Sequence, residues 1–185
     1  MDATIKNILV TGRPGIGKTT AVSKVVELLR KDGHRVGGFI SREVRKSGRR
    51  IGFEVIDLQS GRKGWLAKVG GGYGPRIGKY TVDLEAFEDV GVKALEKSLL
   101  EDEVIVVDEI GPMELFSRKF KDVVWRALES PKPVVATIHW KVDRNVFGRR
   151  ILARSDIEIF ELTLSNRDRI PFEIHRKLME ILASR

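Results

Sequence analysis

The apolar positions of this chain change period as it is followed from its start. Ile5 to Thr11 (IKNILVT) is a short apolar run, after which Val22, Val25, Val26 and Leu29 fall at i, i+3, i+4 and i+7, the stripe of an amphipathic helix. Glycines punctuate the stretch between them, Gly12 to Thr20, so strand, loop and helix follow in order. The helix is expected over Thr20 to Lys31, with Gly33 as its stop. Two extended segments, Arg35 to Val44 and Ile51 to Leu58, flank a Ser47-Gly48 turn signal and predict a hairpin. A further turn is expected at Gln59-Ser60-Gly61.

From Gly64 to Tyr80 the periodicity fades among Gly70-Gly71-Gly72, Gly74 and Gly78, the composition of a surface loop over a site. Asp83 is placed to cap a helix reaching about Leu99. Val104-Ile105-Val106-Val107 is an unbroken apolar run, as in strands buried on both faces. Pro112 is expected to open the next helix, with Phe116, Phe120, Val123, Val124, Ala127 and Leu128 as its apolar face. Pro131 and Pro133 separate it from a strand at Val134 to Ile138. A helix near Val146 to Ala153, a strand at Ile157 to Thr163 and a helix from Pro171 to about Ala183 complete the pattern. Strands alternating with helices predict an α/β fold, a mostly parallel sheet covered on both faces with an added β-hairpin. Its length of 185 residues suits one domain over 1–185.

Composition narrows the function classes. Hydrophobic residues are 42% and charged residues 32%, enough apolar material for a core and too little polar bias for disorder. The absence of Cys excludes disulfides, thiolate metal sites and thiol nucleophiles. No apolar stretch approaches the roughly 20 residues of a bilayer span and Met1 to Asn7 carries no leader-like apolar region, so a cytoplasmic protein without membrane contact is expected. Gln occurs once and Asn three times beside abundant Lys, Arg and Glu, a bias of proteins that work hot. The net charge of +8 favours anionic partners without choosing among them.

The choice comes from two motifs. Gly12-Arg13-Pro14-Gly15-Ile16-Gly17-Lys18-Thr19 fits the Walker A pattern G-x-x-x-x-G-K-[ST], in which glycines let backbone N–H groups surround phosphate oxygens at a helix N-terminus. The bare pattern arises by chance in about one chain in a hundred of this length, but here it lies between an apolar strand and an amphipathic helix. Lys18 is expected on the β- and γ-phosphates and Thr19 on Mg²⁺. Val104 to Val107 then delivers Asp108 and Glu109 to the C-terminal edge of the same sheet, a Walker B arrangement. Asp108 is expected to hold the metal and Glu109 to orient or deprotonate water. Thr137 and His139, ending the next strand, are candidates to sense the γ-phosphate or the water. Arg42, Arg45, Arg49, Arg50, Arg76, Lys79, Arg144, Arg149, Arg150 and Arg154 are candidates for transition-state charge. Trp65 and Trp140 could stack on a base, although the three tryptophans form no ladder at nucleic-acid spacing.

The Walker A segment through Thr20, together with Gly37-Gly38-Phe39, Gly74-Pro75-Arg76-Ile77-Gly78, Asp108-Glu109-Ile110-Gly111-Pro112-Met113-Glu114-Leu115, Ala136-Thr137-Ile138-His139 and Asn166-Arg167-Asp168, resembles the small thermophile nucleoside-triphosphatases related to human cancer-related nucleoside-triphosphatase. The resemblance implies a three-layer P-loop NTPase fold with a RecA-like sheet. It also implies slow, base-tolerant, Mg²⁺-dependent hydrolysis of ATP, GTP, CTP and UTP to diphosphate and phosphate. Carried onto this chain, Gly12 to Thr20 bind the triphosphate, Asp108 the metal and Glu109 the water, while Arg167 lies against the base. Phosphate transfer to a nucleotide, nucleoside or polynucleotide acceptor is the alternative. A nucleic acid partner is possible on charge but not favoured.

Overall fold

The structure, a computed structural model, describes residues 4–185, so Met1 to Ala3 of the stretch inspected for a leader lie outside the described residues. All nine strands join one sheet, in which parallel strands form one half and antiparallel strands the other.

The parallel half runs β2 (Val36–Lys46), β7 (Val104–Ile110), β8 (Val134–Ile138), β1 (Asn7–Thr11), β9 (Ile157–Glu161). Its central strands have the unbroken apolar sequences expected of strands covered on both faces. Val104 and Val106 face a cluster formed with Val22, Val25 and Leu29 of α1 (Lys18–Lys31) and Ile174 and Leu178 of α6 (Ile170–Ala183). Ile105 and Val107 face the opposite cluster, under α3 (Lys93–Glu101), α4 (Arg118–Glu129) and α5 (Val146–Leu152). Phe39, Phe87 and Phe120 meet there with ring centroids 5.3–6.2 Å apart, and all three are fully buried. No helix among the described residues is long and apolar enough to cross a membrane.

The predicted hairpin is present as β2 and β3 (Arg49–Asp57), closed by Ser47 and Gly48, both at positive φ (48° and 74°). The antiparallel half is larger than that hairpin. The segment expected as a loop folds into β4 (Lys63–Val69), β5 (Arg76–Ile77) and β6 (Tyr80–Val82), extending the order to β5-β6-β4-β3-β2. Its glycines misled because Gly64 serves close packing: a Cβ there would come within 2.8 Å of Val90. Irregular chain between β4 and β5 is confined to residues 70–75.

Helix boundaries also differ on this side of the sheet. Asp83 does cap, accepting the Ala86 N–H at 3.0 Å, but the helix proceeds as α2 (Leu84–Phe87), a π turn at Glu88–Val92 and then α3. Pro112 does not open α4. A 3₁₀ turn at Glu114–Phe116 intervenes, and Ser117 starts the helix by accepting the Phe120 N–H at 3.1 Å. Phe116 thus precedes the cap and is 46% exposed, while Phe120 is fully buried. Phe120→Ala should cost about 3–5 kcal/mol, whereas Phe116→Ala should stay within about 0.5 kcal/mol. Urea midpoints of the two variants check the contrast.

Candidate active site

Parallel alignment puts the C-terminal ends of β1, β8, β7 and β2 along one sheet edge. Chain leaving β1 turns through Gly12 to Gly17 and enters α1 at Lys18, two residues before the expected start. Gly17 occupies the cap at φ 110°, a left-handed conformation that side chains resist, and its carbonyl accepts the Ala21 N–H at 2.9 Å. Lys18, 8% exposed, folds back so that its ammonium donates to the Gly12 carbonyl at 3.1 Å and lies 4.0 Å from Glu109 Oε2.

Asp108 is almost wholly buried, and donors from three other elements converge on it. Thr137 Oγ1 of β8 donates to Oδ1 at 2.6 Å, and Thr19 Oγ1 of α1 to Oδ2 at 2.8 Å. The Ser41 N–H of β2 reaches Oδ2 at 3.1 Å, with its hydroxyl at 3.4 Å. Burial raises the Asp108 pKa above the ordinary carboxylate range, opposed by the Thr137, Thr19 and Ser41 hydrogen bonds. Thr137 is therefore spent on Asp108 and does not face the cavity, a correction to its candidacy as a sensor. Ser41 carried no motif that could have announced it.

The peptide between Asp108 and Glu109 is cis, and the β7–β8 register shifts between Val107 and Ile110. Burial pushes the Glu109 carboxyl up to about 7, with Lys18 pulling it down and Asp108 adding to the rise. Beside it lies Glu114, 5% exposed, whose pKa is raised well above the ordinary value by burial and then by Glu109. Glu114 stands in the motif that carries the family resemblance, where the sequence reading assigns it no role of its own.

These groups line a cavity of about 540 Å³ whose walls include Gly15, Lys18, Thr19, Glu109 and His139, with Arg42, Arg50 and Phe53 from the hairpin. His139 Nδ1 accepts the Lys141 N–H at 3.2 Å, so a neutral ring carries its proton on Nε2. Burial, Lys18 and Lys141 lower its pKa, favouring that neutral form. Arg167 comes to the phosphate loop, its guanidinium 3.4 Å from the Ile16 carbonyl. Several basic candidates are engaged elsewhere. Arg154 joins Asp156 and Glu129, Arg150 lies over Trp125 at 4.4 Å, and Arg149 bonds the Asp143 carbonyl. Arg42 and Arg50 reach the cavity while paired with Glu54 and Glu43.

A glycine-cornered loop between a buried strand and a helix, facing an acidic pair on a neighbouring strand, defines a P-loop NTPase. The comparisons narrow that class. A family model described as NTPase matches residues 7–175, and the chain belongs to that family. Nucleoside-triphosphatase THEP1 of Thermofilum pendens is 51% identical over 178 residues, covering 96% of this chain and 98% of the relative. The protein of the same name from Methanocaldococcus jannaschii is 40% identical over 172 residues, covering 93% and 96%. Among solved structures, THEP1 from the hyperthermophile Aquifex aeolicus matches with a TM-score of 0.81 at 35% identity, over 93% of this chain and 98% of that one. A human cancer-related nucleoside triphosphatase matches with a TM-score of 0.82 at 36% identity, over 95% and 98%.

The raised carboxyls have a thermodynamic consequence. A group whose folded pKa lies above its unfolded value binds protons that the unfolded chain releases, so stability falls as pH rises from the unfolded value through the folded one. Without nucleotide and Mg²⁺, Glu114→Gln, which keeps an acceptor for the Gly111 N–H, should raise Tm at about pH 8 and change it little at about pH 4. Thermal melts of both proteins across that range check the sign.

Proposed function

We propose that this protein hydrolyses nucleoside triphosphates to diphosphate and phosphate with Mg²⁺. The observation that carries the reading is the convergence of the Lys18 ammonium and the Glu109 carboxyl, 4.0 Å apart, on a cavity lined by Thr19, whose hydroxyl donates to the buried Asp108 behind it. Gly12 to Thr20 cradle the triphosphate through backbone N–H groups, and Lys18 moves from the Gly12 carbonyl onto phosphate oxygens.

The donor set suits Mg²⁺. Thr19 and Asp108 offer hard oxygens 2.8 Å apart, and no Lys or Arg neutralises Asp108. No cluster of three or more His, Asp or Glu able to hold a metal exists among the described residues, which fits an ion held by one or two protein groups plus phosphates and water. When bound, it neutralises charge on the β- and γ-phosphates.

Glu109 accepts the proton of the attacking water as its oxygen bonds the γ-phosphorus and the bond to the β–γ bridging oxygen breaks. A carboxyl displaced to about 7 is better matched to that transfer near neutrality than an ordinary one. Arg167, whose guanidinium stands 3.4 Å from the Ile16 carbonyl of the phosphate loop, is the group assigned to the base, and stacking on its plane rather than edge-specific hydrogen bonding would tolerate ATP, GTP, CTP and UTP alike. The relatives' names, all triphosphatases, do not favour transfer to another acceptor.

Phosphate release from the four triphosphates is the test. Lys18→Ala should abolish triphosphate binding, while Glu109→Gln should keep binding and lose about 100-fold or more in turnover. Unchanged turnover in the Gln variant would remove Glu109 as base.

A further inference from the structure

In the antiparallel half the helices lie on one side only. Gly64 and Val55 pair across β3 and β4 and face the helical side, where Gly64 meets Val90 and Ala86 and Val55 joins the buried cluster with Phe87. Residues of the opposite parity share the other face, which no helix among the described residues covers beyond Ile40, packed against the α1 cluster.

Cross-strand register identifies what that open face carries. Arg42 pairs with Glu54, Glu54 with Trp65, Ile56 with Lys63, Gly52 with Lys68, Lys68 with Thr81 and Thr81 with Arg76. Arg42, Lys63, Lys68 and Arg76 are exposed. Glu54 is the one acid in that set, and Arg42 already pairs it. The face is therefore cationic on a chain of net charge +8.

Trp65 is arranged on it in a particular way. Its indole reaches across onto β3 until Cζ3 stands 2.9 Å from where a Cβ of Gly52 would be. A Cβ at Gly52 would meet the Ala67 carbonyl at 2.3 Å as well as the ring, and with glycine there the two strands close up and the ring lies over β3. The Lys68 ammonium sits 5.3 Å from the ring centroid. An aromatic ring held along an open sheet, with Lys63 and Lys68 on the same strand, is the combination that takes an unpaired base on the ring and its phosphates on the charges. A second copy of this chain would bring like charges together there, and a duplex would offer no free base face.

We propose that this face binds single-stranded nucleic acid. Trp65 stacks on a base while Lys63, Lys68 and Arg76 contact flanking phosphates. The strand ends beside Arg42, which also lines the nucleotide cavity, so occupancy of the face reaches the edge of the hydrolytic site. Binding itself is independent of hydrolysis.

The test is fluorescence anisotropy of labelled oligouridylate and oligothymidylate with the wild-type protein, Lys63→Glu/Lys68→Glu and Trp65→Ala, alongside ATP hydrolysis without nucleic acid. Wild type should bind at low salt, with log K falling against log salt at a slope of about −2 to −3 for three or four phosphates. Charge reversal should abolish binding, and Trp65→Ala should weaken it about tenfold. Basal hydrolysis should persist in both variants, separating loss of this surface from loss of fold or of the triphosphatase. Absent binding at low salt, equal binding by the charge-reversal variant, or capture of anionic phosphatidylserine vesicles in place of oligonucleotide would each overturn the proposal. Equal affinity for heparin with no effect of Trp65→Ala would overturn it too, as charge without base stacking.

Discussion

A carboxylate held away from water without a cationic side chain organises this protein. Asp108 keeps its place because Thr19, Ser41 and Thr137 each spend a donor on it, and those donors come from α1, β2 and β8. An unmet buried charge costs several kcal/mol, so these strands and the helix after β1 must stay in register around it. The order β2-β7-β8-β1 makes this possible, since it flanks the acid-bearing strand with Ser41 on one side and Thr137 on the other. The same hydroxyls that satisfy Asp108 leave its charge uncancelled, which a divalent ion can cancel.

Around that fixed point the cavity carries acids in excess of its one buried lysine. Burial and Asp108 raise the proton affinity of Glu109, burial and Glu109 raise that of Glu114, and Lys18 alone opposes the rise at Glu109. A carboxyl balanced near neutrality responds to whatever charge enters the cavity. His139, with Nδ1 satisfied by the Lys141 N–H, contributes a donor rather than another charge. It also borders a second cavity of about 440 Å³, which shares Ile77, Pro112 and His139 with the first.

The antiparallel half obeys a different economy. Parallel strands require crossover helices and so are covered on both faces, while hairpin-linked strands need none. β3 to β6 therefore pack Phe53, Val55, Leu66 and Val82 toward the helices and leave the reverse face polar. The sheet thus joins the buried edge that holds Lys18, Asp108 and Glu109 to an exposed cationic surface through the two long strands of one hairpin.

The strand–loop–helix around Lys18, the acidic pair after Val107 and the order of the later elements were legible in the residues, because buried strands, amphipathic helices and phosphate loops impose local periods and spacings. Where local signals were ambiguous the reading drifted. Glycines at 64, 70–72, 74 and 78 suggested one long loop, yet Gly64 is a packing contact with Val90. Pro112 suggested a helix start that belongs to Ser117. Ser41 left no local trace, and although Glu114 stood in a family motif and Trp65 among the stacking candidates, their surroundings were not legible, since each depends on partners far along the chain: Asp108 for Ser41, the packed cavity for Glu114, Gly52 and Lys68 for the indole. Sequence alone determined what hydrogen bonding and side-chain periodicity settle within a few residues. Tertiary structure decided which polar groups lost water and which cations shared a surface, because burial and charge act through distances that only the folded chain defines.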